Sequence, residues 1–486
     1  MNSNFSSRYD LTLIDKIRSK FNEEYILNLG VGKQIGSNIT LRYFNFENNK
    51  GNLIFSTLQL IYILFIFDIK LYITNLLKNT LYPKMQPDVI LEALINEPRN
   101  KSMWFPIAKA FGQNNVLLIT ENSKVLNCVE DFNIILPYKF DVIDFLMLRI
   151  KLIAKLYKYI QFLKVDEEFT SSLSVRLQIY GDICIQFSKI LKADYIFRNY
   201  KPKSFITSWD GYSLGAAYSA CFNKNGVICV TLLHGAAGRQ SFKELKPLNA
   251  KYIVAWGKHN TRQLLNNDVD RKYILECGVP RMEKCPDVDH NRTKKIMLNL
   301  GLINSKKTIG IFFSAYILEN FLNTIFEILE SLKMEYQFLI RFHPSNDDSK
   351  NPLYAPYINN SVFFLSSMYS LQESIELCEF IIIDYSTSGF DALNSNKVVF
   401  MFLHEENVAV QDVMLDALES NCVIGFASSI EFMLKINEFK NNLTFKKHLK
   451  HNQQKFISEY ISFFGDEAAN KIVEEVYKLI NINSKL

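Results

Sequence analysis

The 486-residue sequence lacks the glycine-rich fingerprints by which many nucleotide-binding proteins hold phosphates. It contains neither a G-x-G-x-x-G pattern nor a Walker loop, G-x-x-x-x-G-K-[ST]. These absences exclude a conventional dinucleotide-binding turn and a P-loop NTPase. Any phosphate site in this chain must therefore be built from other residues.

Metal-binding patterns are also missing. The eight cysteines are scattered, and none of them forms a C-x-x-C pair or a zinc-like spacing. Acid pairs occur in "DVD" at Asp287–Asp289 and in "NDVD" at Asn267–Asp270, but both stretches are polar and predict solvated loops. We therefore expect no metal site, a metal-independent mechanism, and free thiols in a reducing compartment.

A hydrophobic run long enough to cross a bilayer is absent. The most apolar stretch, Leu53–Leu77, is interrupted by Asp68 and Lys70, and its uninterrupted part, Leu53–Phe67, has 15 residues. A span needs roughly 18 to 20 residues, so we expect a buried or membrane-surface helix here. The polar, acid-containing first residues do not have the pattern of a secretory signal, which favours a cytoplasmic location.

The segment Lys151–Lys164 alternates lysines with apolar residues. It has two interpretations: a helix with one solvated face, or a basic amphipathic helix that touches an anionic membrane. The formal net charge of +5 is too small to indicate a nucleic acid partner, and we expect none.

The order of apolar and helical segments predicts two α/β domains. The chain is ordinary for a folded protein, with 48% hydrophobic and 22% charged residues, but too long for one core. From about Asp88, short apolar strands alternate with helical stretches, and the alternation restarts after a polar connection at Met282–Lys295. We predict an N-terminal region with an apolar helix (1–85), a first Rossmann-like domain (86–285) and a second one (296–486).

Two doubly wound domains that face each other leave a cleft at the carboxyl ends of their parallel strands, where open α/β sheets bind ligands. Four segments place polar or glycine residues just after a predicted strand: "SWDG" (Ser208–Gly211), "HGAAG" (His234–Gly238), "RFHPS" (Arg341–Ser345) and "DYSTSGFD" (Asp384–Asp391). We expect all four to point into this cleft. The helical end, from about Ile430 to Leu486, is expected to pack back across both domains.

Arg341 and His343 are expected on the same side of a strand end, because side chains alternate with a period of two. A guanidinium and an imidazole side by side suit a phosphate, and Pro344 stiffens the exit from the strand. The alternative is an isolated ion pair at a strand end.

Ser386, Thr387 and Ser388 follow a predicted strand and begin a predicted helix. The unpaired amides and the dipole at a helix N-terminus favour an anion. The alternative is helix capping, because Ser388 and Asp391 fit a capping box. Capping accounts for one hydroxyl, so we interpret the three as one cap and two phosphate contacts.

His234 ends a hydrophobic strand and is followed by small residues, beginning with Gly235, that let a ligand approach the backbone. It is a candidate general base or a stabiliser of a leaving phosphate, and the alternative is a structural histidine. Asp210, one βαβ unit earlier, is a candidate base or nucleophile, or a turn residue before Gly211. Arg281, in "CGVPRMEK", is a second candidate phosphate contact at the domain junction.

The order of these motifs resembles a known group of enzymes. "HG" after a strand, then "WG", "GVPR", "RFHP" and "DYST" ahead of "KVVFMF" is similar to bacterial surface-polysaccharide transferases of the GT-B type, over about Lys201–Phe402. The nearest patterns are the CDP-glycerol glycerophosphotransferases of teichoic acid synthesis and the capsule transferases that use CMP-activated Kdo. UDP-N-acetylglucosamine 2-epimerases and bacterial sialyltransferases resemble it more distantly.

The resemblance implies that His343, Ser386 and Thr387 hold the donor phosphates, that Asp391 is the acid after the hydroxyls, and that His234 acts in catalysis. Teichoic acid enzymes tend to have "HGTP" where this chain has "HGAAG". This departure favours a sugar donor over a glycerol phosphate donor.

The first hypothesis is therefore a glycosyltransferase that moves a sugar from a nucleotide-activated co-substrate to a cell-surface polysaccharide or lipid-linked acceptor, with no other cofactor. The donor binds the second domain, the acceptor enters from the first, and the enzyme is peripheral at the inner face of the cytoplasmic membrane. Three alternatives remain open: a CDP-polyol phosphotransferase, a sugar-nucleotide 2-epimerase, and a non-catalytic scaffold of a polysaccharide assembly complex.

Overall fold

The computed structural model describes most of the chain beyond residue 52. The described residues are 53–67, 83, 85–93, 98–120, 132–136, 142–162, 173–208, 213–233, 249–284, 289–314, 319–343, 363–365, 369–404 and 408–484.

The first sheet has seven parallel strands in the order β3-β2-β1-β4-β5-β6-β7. The strands are Val89–Glu92 (β1), Val116–Ile119 (β2), Ile134–Ile135 (β3), Ser204–Thr207 (β4), Ile228–Leu232 (β5), Tyr252–Ala255 (β6) and Ile274–Glu276 (β7). Every residue of β1, β2, β4 and β5 is buried. Strands covered on both faces read as continuous apolar runs, which is why the sequence marks these strands clearly.

Helices cover both faces of this sheet. They are Leu53–Tyr62 (α1, continued by a π-helical turn at Ile63–Phe67), Pro98–Phe111 (α2), Val142–Phe162 (α3), Leu173–Tyr200 (α4), Ser213–Lys224 (α5) and Lys258–Asn266 (α6), with a 3₁₀ turn at Arg271–Tyr273. The long helix α4 packs against both α1 and α3. Gln178 Nε2 of α4 donates to Ser56 Oγ of α1 (2.9 Å), and Arg149 Nη2 of α3 donates to Ser188 Oγ of α4 (2.7 Å).

The second sheet has six parallel strands in the order β10-β9-β8-β11-β12-β13. The strands are Lys307–Phe312 (β8), Tyr336–Arg341 (β9), Phe363–Leu365 (β10), Phe380–Ile383 (β11), Val398–Phe402 (β12) and Ile424–Phe426 (β13). The helices of this half and of the chain end are His290–Leu300 (α7), Glu319–Leu332 (α8), Leu371–Glu376 (α9), Ser388–Asn394 (α10), Val408–Glu419 (α11), Ser429–Asn441 (α12), Leu443–Tyr460 (α13) and Gly465–Asn483 (α14).

Both sheets are doubly wound, as the sequence predicts. The strand order reverses between β1 and β4 in the first sheet and between β8 and β11 in the second. Each reversal, or switch point, leaves a crevice beyond the carboxyl ends of the two strands, where open α/β sheets bind ligands. The residues that follow β1, β4, β8 and β11 are therefore the first candidates for a ligand-binding site.

A continuous hydrophobic core joins the two sheets. Trp256, which follows β6, lies edge-on to the rings of Phe390 in α10 and Tyr460 in α13. The same cluster of buried residues contains Ile253 of the first sheet and Ile381 of the second. The domains therefore share packed side chains.

The chain end returns to the first domain. Helix α14 packs against α2 and buries Ile472 and Val476 in the core of the first sheet. This confirms the expectation that the C-terminal helices cross both domains. The predicted boundaries at 86–285 and 296–486 stay predictions, and α14 lies on the first domain although its sequence position belongs to the second.

The glycine of "GVPR" is required at this crossing. Gly278 has φ of 84°, and a Cβ atom there would lie 2.0 Å from the carbonyl oxygen of Phe463. Beside it, the Val279 amide donates to Phe463 O (2.9 Å) and the Gly465 amide donates to Val279 O (3.1 Å). Only a residue without a side chain allows this close backbone approach.

Helices α1 and α3 leave apolar side chains exposed. On α3 these are Ile143, Leu146, Met147, Ile150, Ile153 and Tyr157, with Ile143 72% and Tyr157 75% exposed. Both interpretations of Lys151–Lys164 stay open, because the part of this segment that the structure describes exposes Lys151 as well as Tyr157. None of the helices that the structure describes combines the length and apolarity needed to span a bilayer.

Candidate functional site

A buried carboxyl group occupies the switch point of the second sheet. Asp384 directly follows β11, is fully buried, and accepts a hydrogen bond from Ser314 Oγ (2.7 Å), which lies beyond the neighbouring strand β8. Its other oxygen accepts from the Tyr385 amide (2.7 Å). Burial raises the pKa of Asp384 to about 7, and the hydrogen bonds from Ser314 and the backbone oppose this rise.

The three hydroxyls follow Asp384, but none of them caps the helix in the predicted way. Helix α10 begins at Ser388, its cap residue Thr387 already has helical angles (φ −63°, ψ −13°), and Thr387 makes no side-chain capping bond. The predicted capping box of Ser388 and Asp391 is therefore wrong. Instead, the hydroxyls of Ser386 and Ser388 are hydrogen-bonded to each other (2.8 Å).

Asp391 pairs with Arg281. Arg281 Nη1 is 2.7 Å from Asp391 Oδ1, and Nη2 is 3.3 Å from Oδ2, so the contact is bidentate. The Arg281 side chain is only 4% exposed and lies over the Trp256 ring, 5.4 Å from its centroid. Both residues were predicted to contact the donor. The structure brings them together as an ion pair between the loop that follows β7 and helix α10.

Arg341 ends β9 and is tied to the start of α9. Its Nη1 donates to the carbonyl oxygen of Tyr369 (2.8 Å) and to Ser374 Oγ (3.0 Å). Burial lowers the pKa of this guanidinium. His343 follows two residues later and is partly exposed. The phosphate-binding roles of Arg341 and His343 stay predictions.

Four candidate residues lie outside the described residues: Asp210, His234, Gly235 and Pro344. The described chain stops at Ser208 and Leu233 just before the first two of them. Those residues follow the adjacent parallel strands β4 and β5. The catalytic roles of Asp210 and His234 therefore also stay predictions.

Sequence reasoning missed a second buried acid, at the switch point of the first sheet. Glu92 is the last residue of β1, is 2% exposed, and accepts a hydrogen bond from Thr207 Oγ1 at the end of β4. Next to Thr207, the buried Ser208 hydroxyl has no hydrogen-bond partner among the described residues. The sequence contains a pattern that could have identified both acids: an apolar run that ends with an acidic residue. It occurs in "VILE" in the first domain and in "FIIID" in the second.

A metal site was not expected. Among the described residues, no group of three or more His, Cys, Asp or Glu side chains is arranged to hold a metal ion. A metal-independent mechanism stays a prediction.

Comparisons with known proteins agree with this architecture. Residues 193–478 match the family described as CDP-glycerol:poly(glycerophosphate) glycerophosphotransferase. A comparison with curated proteins found no significant match.

Solved structures show a similar fold. The wall teichoic acid polymerase TagF superposes with a TM-score of 0.51 at 14% identity, covering 90% of this chain and 99% of that one. The S. aureus MnaA–UDP structure has a TM-score of 0.53 at 13% identity and covers 81% and 97%. UDP-GlcNAc 2-epimerase from Neisseria meningitidis, bound to UDP-GlcNAc, has a TM-score of 0.52 at 12% sequence identity. That match covers 80% of this chain and 99% of the epimerase chain. At sequence identities this low, the structural similarity establishes only the GT-B-like fold.

Proposed function

Because the chain belongs to the CDP-glycerol:poly(glycerophosphate) glycerophosphotransferase family and is a transferase, we propose that it moves a polyol phosphate from a CDP-activated donor to a cell-surface polymer. The observation that carries this proposal is the family match over residues 193–478, more than half of the chain. That range runs from α4 to α14 and includes the whole second sheet. It favours the CDP-polyol alternative over the sugar transfer that the sequence placed first.

The proposed reaction is a phosphoryl transfer. A hydroxyl oxygen of the acceptor attacks the phosphorus that carries the polyol, the bond from that phosphorus to the CMP oxygen breaks, and CMP leaves. The acceptor proton passes to a general base, a role we propose for His234 or Asp210. The donor phosphates lie at the carboxyl edge of the second sheet, near His343, Ser386 and Thr387.

The buried state of Asp384 supports a diphosphate at this edge. A fully ionised Asp384 carboxylate, hydrogen-bonded to the Ser386 backbone, would repel the donor, whereas a pKa of about 7 leaves much of this carboxyl neutral near neutral pH. Ser386 and Ser388 then present hydroxyls to the phosphate oxygens from a loop whose position Asp384 and Ser314 fix through hydrogen bonds.

The test compares donor classes by thermal shift. CMP, CDP and CDP-glycerol are expected to raise the melting temperature, since a ligand at 100 times its Kd stabilises the folded state by about 2.7 kcal/mol. UDP and UDP-N-acetylglucosamine serve as matched controls. Release of CMP from CDP-glycerol in the presence of a polymer acceptor then reports the transfer.

A response to uridine nucleotides alone would contradict the polyol proposal and favour sugar-nucleotide chemistry. The specific observation in favour of that second candidate is "HGAAG" in place of "HGTP". A response to none of the nucleotides would contradict both candidates.

We also propose that the enzyme works at the inner surface of the cytoplasmic membrane, where a lipid-linked acceptor would be found. The support is the exposed apolar side of α3, with Ile150 61% exposed, and that of α1, with Leu58 60% exposed. Lys151 lies exposed on α3 and can contact anionic headgroups. Apolar area and basic charge together hold interfacial helices on lipid.

Flotation with phosphatidylglycerol vesicles tests this location. Leu146→Ser/Ile150→Ser on α3 should weaken vesicle binding, because both side chains are exposed and would insert among the lipids. The matched control is Leu298→Ser/Met334→Ser, which removes two exposed apolar side chains from the second domain. Equal binding by both variants would argue against a membrane contact of α3.

A further inference from the structure

Helix α13 is basic along its exposed side. Its inner side buries Leu449, Gln453 and Phe456 against the second domain. Its outer side exposes Lys447, His448, Lys450, His451 and Lys455, which we call the basic face. Residues 443–458 contain no Asp or Glu, and the one acidic residue of α13, Glu459 in its last turn, lies 3.6 Å from Arg262.

The lysines of the basic face have no acidic partner among the described residues, unlike the lysines of the helix that follows. In the next helix, Lys471 lies 2.9 Å from Glu474 and Lys478 lies 3.0 Å from Glu475. Across the part of the chain that the structure describes, Lys447, Lys450 and Lys455 form no ion pair. Solvated helix faces usually mix both signs, and like charges three or four residues apart repel each other. An anionic partner would relieve this repulsion.

The basic face lies away from the candidate donor site. Gln453 Nε2 donates to the carbonyl oxygens of Lys397 (3.2 Å) and Cys422 (3.1 Å), which precede β12 and β13. Helix α13 therefore crosses the amino ends of these strands, whereas Asp384 and Ser386 follow the carboxyl end of β11. A ligand of the basic face that also serves the reaction must be long.

The composition of the face favours a soluble polyanion over a lipid surface. Helix α13 exposes one large apolar side chain, Leu443 at its first residue, whereas the outer side of α3 exposes six. Lipid surfaces hold helices through buried apolar area as well as charge. Lys447 and Lys455 are eight residues apart, about 12 Å along a helix, so the face can contact several charges of one extended chain.

We propose that the basic face binds a flexible polyanion of repeating phosphodiesters, the acceptor polymer at a distance from its reacting end. The choice of a phosphodiester polymer rests on the proposed function. The binding surface rests on the unpaired lysines and on the position of α13.

The test measures binding of fluorescent inorganic polyphosphate to the full chain by anisotropy. Lys447→Gln/Lys450→Gln/Lys455→Gln should weaken binding at least tenfold. It should also lower the slope of log affinity against log salt by about 2, since each contact to a single-stranded polyanion contributes about 0.7. The matched control, Lys333→Gln/Lys471→Gln/Lys478→Gln, removes three lysines that are already paired with glutamates and should bind like the unmodified protein.

Equal loss in both triple variants would overturn the proposal, because it would show a response to net charge alone. Unchanged polyphosphate binding with reduced binding to phosphatidylglycerol vesicles would also overturn it, in favour of a lipid surface. The thermal shift with CDP should be the same in both variants. If CDP caused no thermal shift in the unmodified protein, the proposed function would be contradicted. The measured affinity for polyphosphate would still stand as a separate result.

Discussion

Ser314 donates a hydrogen bond of 2.7 Å to the buried carboxyl group of Asp384 across the switch point of the second sheet. Thr207 does the same for Glu92 across the switch point of the first sheet. Each domain therefore places one buried acid and one hydroxyl at the crevice where its strand order reverses. In the second domain, this pair holds the start of the loop that carries the three candidate hydroxyls.

Asp384→Asn is expected to remove a pH dependence of folding stability. The pKa of Asp384 is about 7 in the folded protein, against about 3.9 for an exposed Asp in the unfolded chain. Its contribution to the free energy of unfolding is thus complete below about pH 4 and is lost as the pH rises through about 7. Asn carries no such proton and can still accept from the Tyr385 amide. Urea midpoints from pH 4 to 8 should therefore fall more steeply for the unmodified protein.

Ser314→Ala provides the control for that profile. Ser314 lowers the pKa of Asp384 by donating to the charged form, so its removal should move the loss of stability to higher pH. Parallel pH profiles for the unmodified protein and Asp384→Asn would show that this carboxyl group does not titrate in the window.

Arg281 and Asp391 are expected to depend on each other for stability. Their side chains are 4% and 12% exposed, and removing one partner of a buried ion pair costs about 3–5 kcal/mol. Arg281→Met alone and Asp391→Leu alone should each lower the free energy of unfolding, measured in urea, by about 3–5 kcal/mol. The double variant should recover part of the loss, with a coupling energy of about 0.5–3 kcal/mol. Strictly additive losses would mean that the two groups act separately.

His343→Ala should abolish CDP binding while the fold stays intact, because the side chain is partly exposed at the exit of β9. Titration calorimetry with CDP measures the affinity, and the melting temperature without ligand reports the fold. His448→Ala on the exposed side of α13 is the matched control and should bind CDP normally. An unchanged affinity in His343→Ala would remove the phosphate assignment.

His234→Ala should retain CDP binding and lose turnover. Loss of a general base typically costs about 10²–10⁴-fold in rate, and release of CMP from CDP-glycerol is the measurement. Asp210→Asn tests the competing candidate under the same conditions. Normal turnover in His234→Ala together with a large loss in Asp210→Asn would transfer the role of base to Asp210.

Most of the second domain could be predicted from the sequence, because a parallel strand buried on both faces is an apolar run that needs no other signal. β11 and β12 are such runs, and "FIIID" and "KVVFMF" identify them at once. The crossing of α14 was also foreseen from the helical character of the chain end.

The site was harder to predict, because its contacts join residues that are distant in sequence. A capping box is recognised three residues apart, so the sequence assigned Asp391 to Ser388, whereas the carboxylate pairs with Arg281, 110 positions away. The hydrogen bond between Ser314 and Asp384 spans 70 positions. For Lys151–Lys164 the sequence left a solvated face and a membrane-facing side both open, and only the packing of α3 against α4 shows which apolar side chains of the helix stay exposed.

The return of α14 makes the first domain discontinuous in the gene. A fragment that ends near residue 285 would keep all seven strands of the first sheet but would lose the helix that covers Trp104 and Ile107 on α2. The second domain is held to the first through two chain crossings, at Gly278–Arg281 and at Ser462–Gly465. A single protease cut between the domains would consequently leave the two halves of this protein attached by non-covalent packing and by the second crossing.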